Sequence, residues 1–153
     1  MDIRTVAYAH PDARALIAEL QKEYIDRYGD EDETPVAPEE FAPPNGAFAV
    51  GYDGGRPVAC GGWRVHRGAA EVKRMYVRAQ DRGRGLARAM LAHLEADAAR
   101  AGWRRVLLMT GDLQPEAVEL YRSSGYAPAE PWGPYKDDPL AHFYAKEVGL
   151  PGT

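Results

Sequence analysis

The sequence predicts one α+β domain over residues 1–153 with a mixed sheet, and three observations carry that expectation. Strand-like runs at Gly46–Tyr52 and Pro57–His66 flank Asp53-Gly54-Gly55, a hairpin turn signal, and Arg67-Gly68-Ala69 then turns into a third strand. These three form an antiparallel meander. The third strand, Ala70–Arg78, leads through a glycine turn into a long helix, Leu86–Ala101, and then a continuous apolar strand, Arg105–Thr110. A strand–helix–strand crossover of that length joins parallel strands, so the sheet is mixed. Finally, a 45% hydrophobic chain of 153 residues, without repeats or a linker, suits a single sizeable core.

The elements follow in order. Ile3–Ala9 alternates weakly and reads as a first strand; His10-Pro11-Asp12 breaks it and starts a helix. From Ala13 to Tyr28, Leu16, Ile17, Leu20, Tyr24 and Ile25 recur at helical spacing as one apolar stripe, and Gly29 stops the helix. Asp30–Glu40 is acidic and proline-broken, with room for a short helix around Glu39–Phe41. Gly61-Gly62 inside a strand marks a bulge or a close packing point. In the long helix, Leu86, Ala87, Met90, Leu91, Leu94 and Ala98 share a core-facing stripe, His93 lies at its boundary, and Ala101-Gly102 ends it. The Arg105–Thr110 strand reads as buried on both faces. Pro115 begins a further helix that ends at Ser124-Gly125. A proline- and aromatic-rich loop and a last strand, His142–Val148, complete the chain.

The turn Gln80-Asp81-Arg82-Gly83-Arg84-Gly85 carries the chemistry. It precedes a helix, where successive backbone N–H groups lack intrahelical partners and the helix dipole adds positive charge. Arg82 and Arg84 add full charges, and glycine lets an anion approach the backbone. The phosphate loop of NTPases does not fit, because neither its glycine spacing nor its Lys-Ser/Thr is present. The dinucleotide fingerprint does not fit either, since Arg88 stands where its third glycine belongs.

Charge supports an anionic ligand. The formal net charge is −4, yet the stretch from Arg64 to Arg105 holds 11 basic and 4 acidic residues. Arg88, Arg100 and Arg104 read as a solvated helix face. Nucleic acid is a poor partner, because the domain is acidic and no aromatics interleave with the basic residues. A membrane span is not expected: the chain opens on an acidic Met1-Asp2, and its longest aliphatic run is Val106–Met109. The single Cys60 allows no internal disulfide or multi-cysteine metal site, which suits a cytoplasmic protein, and the four histidines lack ligand spacing.

Gln80, Gly83 and Gly85 match the Gln/Arg-x-x-Gly-x-Gly/Ala motif after a strand, and the chain resembles the GNAT superfamily of N-acetyltransferases. Downstream, Ala117, Leu120, Tyr121, Gly125 and Tyr126 match that family's Asn-x-x-Ala-x-x-Leu-Tyr-x-x-x-Gly-Phe/Tyr segment, with Gln114 in place of the Asn. The resemblance implies a GNAT-like fold, a central sheet of about seven strands with helices on both faces. It also implies acetyl-CoA as cosubstrate and a homodimer as a common assembly. By position, the backbone of Met75, Tyr76 and Val77 would meet the pantetheine and thioester carbonyl. Arg82, Gly83, Arg84, Gly85, Leu86 and Ala87 would hold the pyrophosphate, and Gln114 would reach the cofactor.

Two side chains are candidates for proton chemistry. Tyr121 stands where family members point a tyrosine at the sulfur; it is read as the general acid, with a core tyrosine as the alternative. Glu71 lies six residues before Val77, where some relatives carry a catalytic glutamate. It is read as the base, or else as an ion-pair partner of Lys73 or Arg74. The leading function is acetylation of a primary amine of a small molecule by direct attack in a ternary complex. A protein or peptide N-acetyltransferase and a non-catalytic acyl-CoA-binding sensor stand beside it. The acceptor pocket is expected from Tyr24–Phe41 and Trp132–His142, with the acidic segment as a lip that would favour a cation or as a solvated loop.

Overall fold

The Asp53-Gly54-Gly55 signal makes the expected hairpin: Gly54 and Gly55 take left-handed φ of 59° and 80° between β2 (Gly46–Asp53) and β3 (Arg56–His66). The structure is a computed structural model and describes residues 1–32, 35–111 and 115–149. β1 (Asp2–Val6) pairs antiparallel with β2, and β3 with β4 (Ala69–Val77). β5 (Arg105–Gly111) runs parallel to β4, and β7 (Ala141–Glu147) antiparallel to β5. The two-residue β6 (Ala127–Pro128), formed from the proline-rich loop, closes a seven-stranded mixed sheet of order β1-β2-β3-β4-β5-β7-β6.

Helices cover both faces. α1 (Pro11–Tyr28) is capped by His10, whose Nδ1 accepts from the Asp12 N–H at 3.1 Å, and ends at Gly29 with φ 84°. It buries Ala13, Leu16 and Leu20 against Phe41, Phe48, Val50 and Tyr76. The stripe read from the sequence is one residue too wide, because Ile25 is 45% exposed, off the face that Leu16 and Leu20 define. α2 (Leu86–Arg100) packs Met90, Leu91 and Leu94 on the other face, and α3 (Pro115–Ser123) joins it there through Tyr121.

Two irregularities shape the middle of the sheet. A Cβ on Gly62 would collide with Phe48, Phe41 and the Ala47 carbonyl, which is why it is glycine, while one on Gly61 would press on the tip of Leu94 on the other face. Opposite them β4 carries an extra residue: Gly62 pairs with Lys73 and Cys60 with Tyr76, so Arg74 and Met75 together face Gly61. Arg74 takes φ 59°, and both Lys73 and Arg74 turn to Asp32.

β4 and β5 then part. Their pairing is limited to Ala70 with Val106 and Glu71 with Leu107, while β5 stays paired with β7 from Arg105 to Gly111. Val106, Leu107 and Leu108 are buried as a central strand should be, but Met109 is only half-buried because its β4 neighbour has left.

Candidate active site

The gap between β4 and β5 opens onto a cleft of about 460 Å³. Met75, Tyr76 and Val77 from the end of β4 line one wall, and Arg82, Gly83, Gly85, Leu86 and Ala87 line the turn and first turn of α2. Gly83 and Gly85 hold φ of 80° and 76°, and a Cβ on either would meet no protein atom within 4 Å. Backbone conformation, with open space above it, therefore explains both glycines. Gly85 is the N-cap, no side chain caps the helix, and the Ala89 N–H reaching the Gly85 carbonyl at 3.1 Å is the first helical bond. The preceding N–H groups face the cleft end of the dipole.

The arginines divide differently from the sequence reading. Arg82 lines the cleft but acts as a clamp, donating to the Val77 carbonyl at 3.0 Å and to Glu23 at 2.6 Å. Arg84 does not line it: it pairs with Asp53 at 2.8 Å and Asp81 at 3.1 Å. Asp81 also takes a two-pronged bond from Arg56 at 3.1 and 3.0 Å, which holds its carboxyl below the usual range and ties the β2–β3 hairpin to the turn. Arg88, read as solvated, does line the cleft and donates to Ser123 and Ser124 Oγ at 2.8 and 3.1 Å. Of the cleft's arginines it alone has no carboxylate partner among the described residues. Gln114 lies outside the described residues.

Tyr121 stands at the back of the cleft, 7% exposed, its ring centroid 6.0 Å from that of Tyr126 and 6.1 Å from that of Tyr144. It also lines a small chamber of about 50 Å³ behind the cleft, with Tyr24, Asp32, Lys73, Met109 and Thr110. Leu20, Met75 and Tyr121 are common to both spaces. Its hydroxyl makes no hydrogen bond to a described residue, and burial, with Tyr24 and Tyr144 nearby, pushes its pKa well above that of a free phenol. Lys73, whose Nζ lies 3.3 Å from Asp32, is pushed the other way by burial.

Glu71 is elsewhere. It is 2% exposed, and its carboxylate accepts from Arg64 Nε at 3.2 Å and from the Trp132 indole N–H at 2.9 Å. Its ion-pair partner is Arg64 because the β3–β4 register sets those two residues directly opposite each other; Lys73 and Arg74 turn to Asp32 instead. Glu71 lines a separate cavity of about 480 Å³ with Val36, Met109, Trp132, Pro134 and Tyr135. A further cavity of about 250 Å³ is lined by Tyr24, Tyr28, Asp30, Glu31, Tyr135 and Asp138. These walls come from the two segments assigned to the acceptor. The structure thus brings Tyr121 to the β4 backbone and glycine turn, and places Glu71 on the far side.

Sequence reasoning missed Glu23 and Arg27, which α1 contributes to the cleft, and it missed Arg88. The place of Arg88 in the first turn of α2, three residues after the N-cap, is the available signal for it. Among the described residues no three metal-ligating side chains converge, and no helix is long and apolar enough to cross a membrane.

Comparison with known proteins places this geometry in a family. The sequence model of the Acetyltransferase (GNAT) family matches residues 13–126. An IAA acetyltransferase of Azospirillum brasilense is 37% identical over 135 residues, covering 87% of this chain and 88% of the relative. A crystal structure from Klebsiella pneumoniae described as an acyl-CoA N-acyltransferase superposes with a TM-score of 0.80 at 30% identity, covering 96% of this chain and 97% of that one. A GNAT family acetyltransferase of Elizabethkingia anophelis with acetyl-CoA bound shares the fold, with a TM-score of 0.70 at 15% identity over 96% and 97% of the chains.

Proposed function

The chain belongs to the GNAT acetyltransferase family and is an acetyl-CoA-dependent acyltransferase, and from that premise we propose that it acetylates the primary amine of a small molecule by direct attack in a ternary complex. One observation carries the reading: Tyr121 lines both the cofactor cleft and the chamber behind it, where β4 and β5 have separated. A cleft of about 460 Å³ with two left-handed glycines open above suits the pantetheine arm and pyrophosphate.

Acetyl-CoA supplies a thioester, whose acyl carbon gains a bond to the amine nitrogen as its bond to sulfur breaks. The N–H groups of Gly83 to Ala87, at the positive end of α2, bind the diphosphate, and Arg88 adds a charge at the rim. Backbone groups of Met75 to Val77, where β4 has left β5, orient the acyl carbonyl; one such N–H on the developing oxyanion is worth about 3–4 kcal/mol. Tyr121 gives a hydrogen bond to the departing sulfur. Burial keeps its phenol protonated, so full transfer to a thiolate is more uphill than between the free groups, and Tyr121 works as a donor. The proton leaving nitrogen passes through water to Glu71 on the amine side, whose bonds from Arg64 and Trp132 leave about two of its four acceptor positions open.

Cavities of about 480 and 250 Å³ suit a compact amine better than a protein chain. The Azospirillum brasilense relative, named an IAA acetyltransferase, is likewise not named for a protein acceptor. The buried Cys60 thiol, which donates to the Arg74 carbonyl at 3.3 Å and is pushed up by burial, suits a reducing cytoplasm. A panel of amines with acetyl-CoA, read by release of free thiol, tests the proposal. Amine-dependent release upholds it; tight binding of CoA without release for any amine would leave a sensor, and release only with peptides would leave a protein acetyltransferase.

A further inference from the structure

On the amine side three neighbouring cavities share lining residues. The chamber beside Tyr121 shares Tyr24 and Met109 with the cavity of about 250 Å³, and shares Met109 with that of about 480 Å³. Tyr135 lines both outer cavities but not the chamber. Met109 is therefore the one described residue common to all three spaces. It sits on β5 two residues past the last pairing with β4, half-buried against the cluster of Leu107, Trp132 and Phe143. An unbranched thioether with three rotatable bonds can swing aside there at little cost.

The two outer cavities differ in chemistry. The smaller carries Asp30, Glu31 and Asp138 among tyrosines. The larger is walled by Trp132, Tyr135, Pro134, Pro35 and Val36, and its deepest charges, Arg64 and Glu71, already pair with each other. The indole N–H of Trp132 is spent on Glu71, which leaves its ring faces for packing.

We propose, resting on the amine-acceptor reading above, that Met109 is the specificity-determining gate of the acceptor site, and that the acceptor is a primary amine whose flat apolar substituent passes Met109 to seat beside Trp132 and Tyr135. The nitrogen stays in the chamber at Tyr121, and the length of the β5 side chain at position 109 sets how large a substituent gets through. The acidic cavity would instead take a cationic tail, and the experiment separates the two.

The test uses butylamine, 2-phenylethylamine and spermidine with the wild type, Met109→Ala, Met109→Leu and Met109→Trp. The wild type is expected to favour 2-phenylethylamine over butylamine in kcat/KM by about tenfold. Met109→Leu keeps that ratio and Met109→Ala raises it. Met109→Trp lowers it by about tenfold, with affinity for acetyl-CoA retained, since Met109 does not line the cofactor cleft. Met109→Phe replaces the Trp variant if the latter does not fold. Ratios unchanged across these variants, or a preference for spermidine indifferent to position 109, overturn the gate while leaving amine acetylation standing. Should the wild type acetylate none of the amines, the acceptor reading fails on its own, and binding to the CoA complex decides the gate. 2-Phenylethylamine bound by wild type and not by Met109→Trp upholds it; equal binding overturns it.

Discussion

The cofactor cleft and the amine-side cavities meet at Tyr121 but are made of different material. The cleft presents backbone: the parted end of β4, two left-handed glycines and the uncapped start of α2. The amine side presents side chains, delivered from three distant segments, Tyr24–Glu31, Pro35–Glu40 and Trp132–Ala141, and joined by Arg64, Glu71 and Met109 from the sheet. A diphosphate and a thioester are fixed ligands, and N–H groups that cannot mutate away suit them. A variable acceptor calls for side chains that can change singly without disturbing the sheet.

That contrast can be broken experimentally, and the largest effect belongs to the backbone. Gly85→Asp forces a left-handed φ on a β-carbon and adds a negative charge at the anion end of α2. The strain weakens the fold, while the charge and the bulk in the open space above position 85 act against the bound anion, so CoA affinity measured by calorimetry falls by about 100-fold, roughly 3 kcal/mol. Gly68→Asp, with φ 74° in the β3–β4 turn, carries similar strain away from the cleft and leaves CoA affinity unchanged. Equal losses in both would erase the distinction.

Tyr121→Phe comes next. It lowers kcat by about 30-fold, ~2 kcal/mol for one bond to a charged sulfur, and leaves the KM for acetyl-CoA within about twofold. Because burial raises the phenol's pKa, its proton is lost only above the usual phenol range. The wild-type kcat profile should then show no alkaline limb from Tyr121 below about pH 10. Such a limb, absent in the Phe variant, would return Tyr121 to the role of a full acid.

The arginines sharpen the contrast on a smaller scale. Arg88→Ala should weaken CoA binding about tenfold, and Arg84→Ala only about twofold, since Arg84 is already neutralised by Asp53 and Asp81. The reverse order would restore Arg84 as the anion ligand. Smallest is Arg56→Gln. Asp81 has a folded-state pKa below its unfolded value, so the pair's contribution is full above the ordinary carboxylate pKa of about 3.9 and is lost as pH falls through the folded value. The variant should melt slightly below wild type at pH 7, with the gap closing as pH falls below the ordinary carboxylate range. A gap that persists unchanged in acid would mean the pair is not its source.

What could be read from the sequence follows the same division. The glycine turn, the crossover and the meander depend on local rules, namely φ sign, spacing and helix length, and they emerge where expected. Arg84 lies off the cleft and Arg88 on it, because the pairing of Arg84 with Asp53 and Asp81 depends on where the β2–β3 hairpin folds back, a tertiary fact. The Arg64–Glu71 pair is set by strand register across the β3–β4 turn, a cross-strand neighbour that a reading of charges along β4 alone, with Lys73 and Arg74, passes over. Met109 looked like one more buried aliphatic residue; its exposure to three cavities depends on β4 departing two residues earlier.

The extra residue at Arg74 has a last consequence. Before it, Ala70 and Val72 face α2 while Glu71 and Lys73 face the opposite way; after it, odd-numbered Met75 and Val77 take the α2 face. The ribbon thus carries two phases joined at a single hinge of parity. Its upstream half, with Glu71, can be rewritten without rotating the half that lines the cleft.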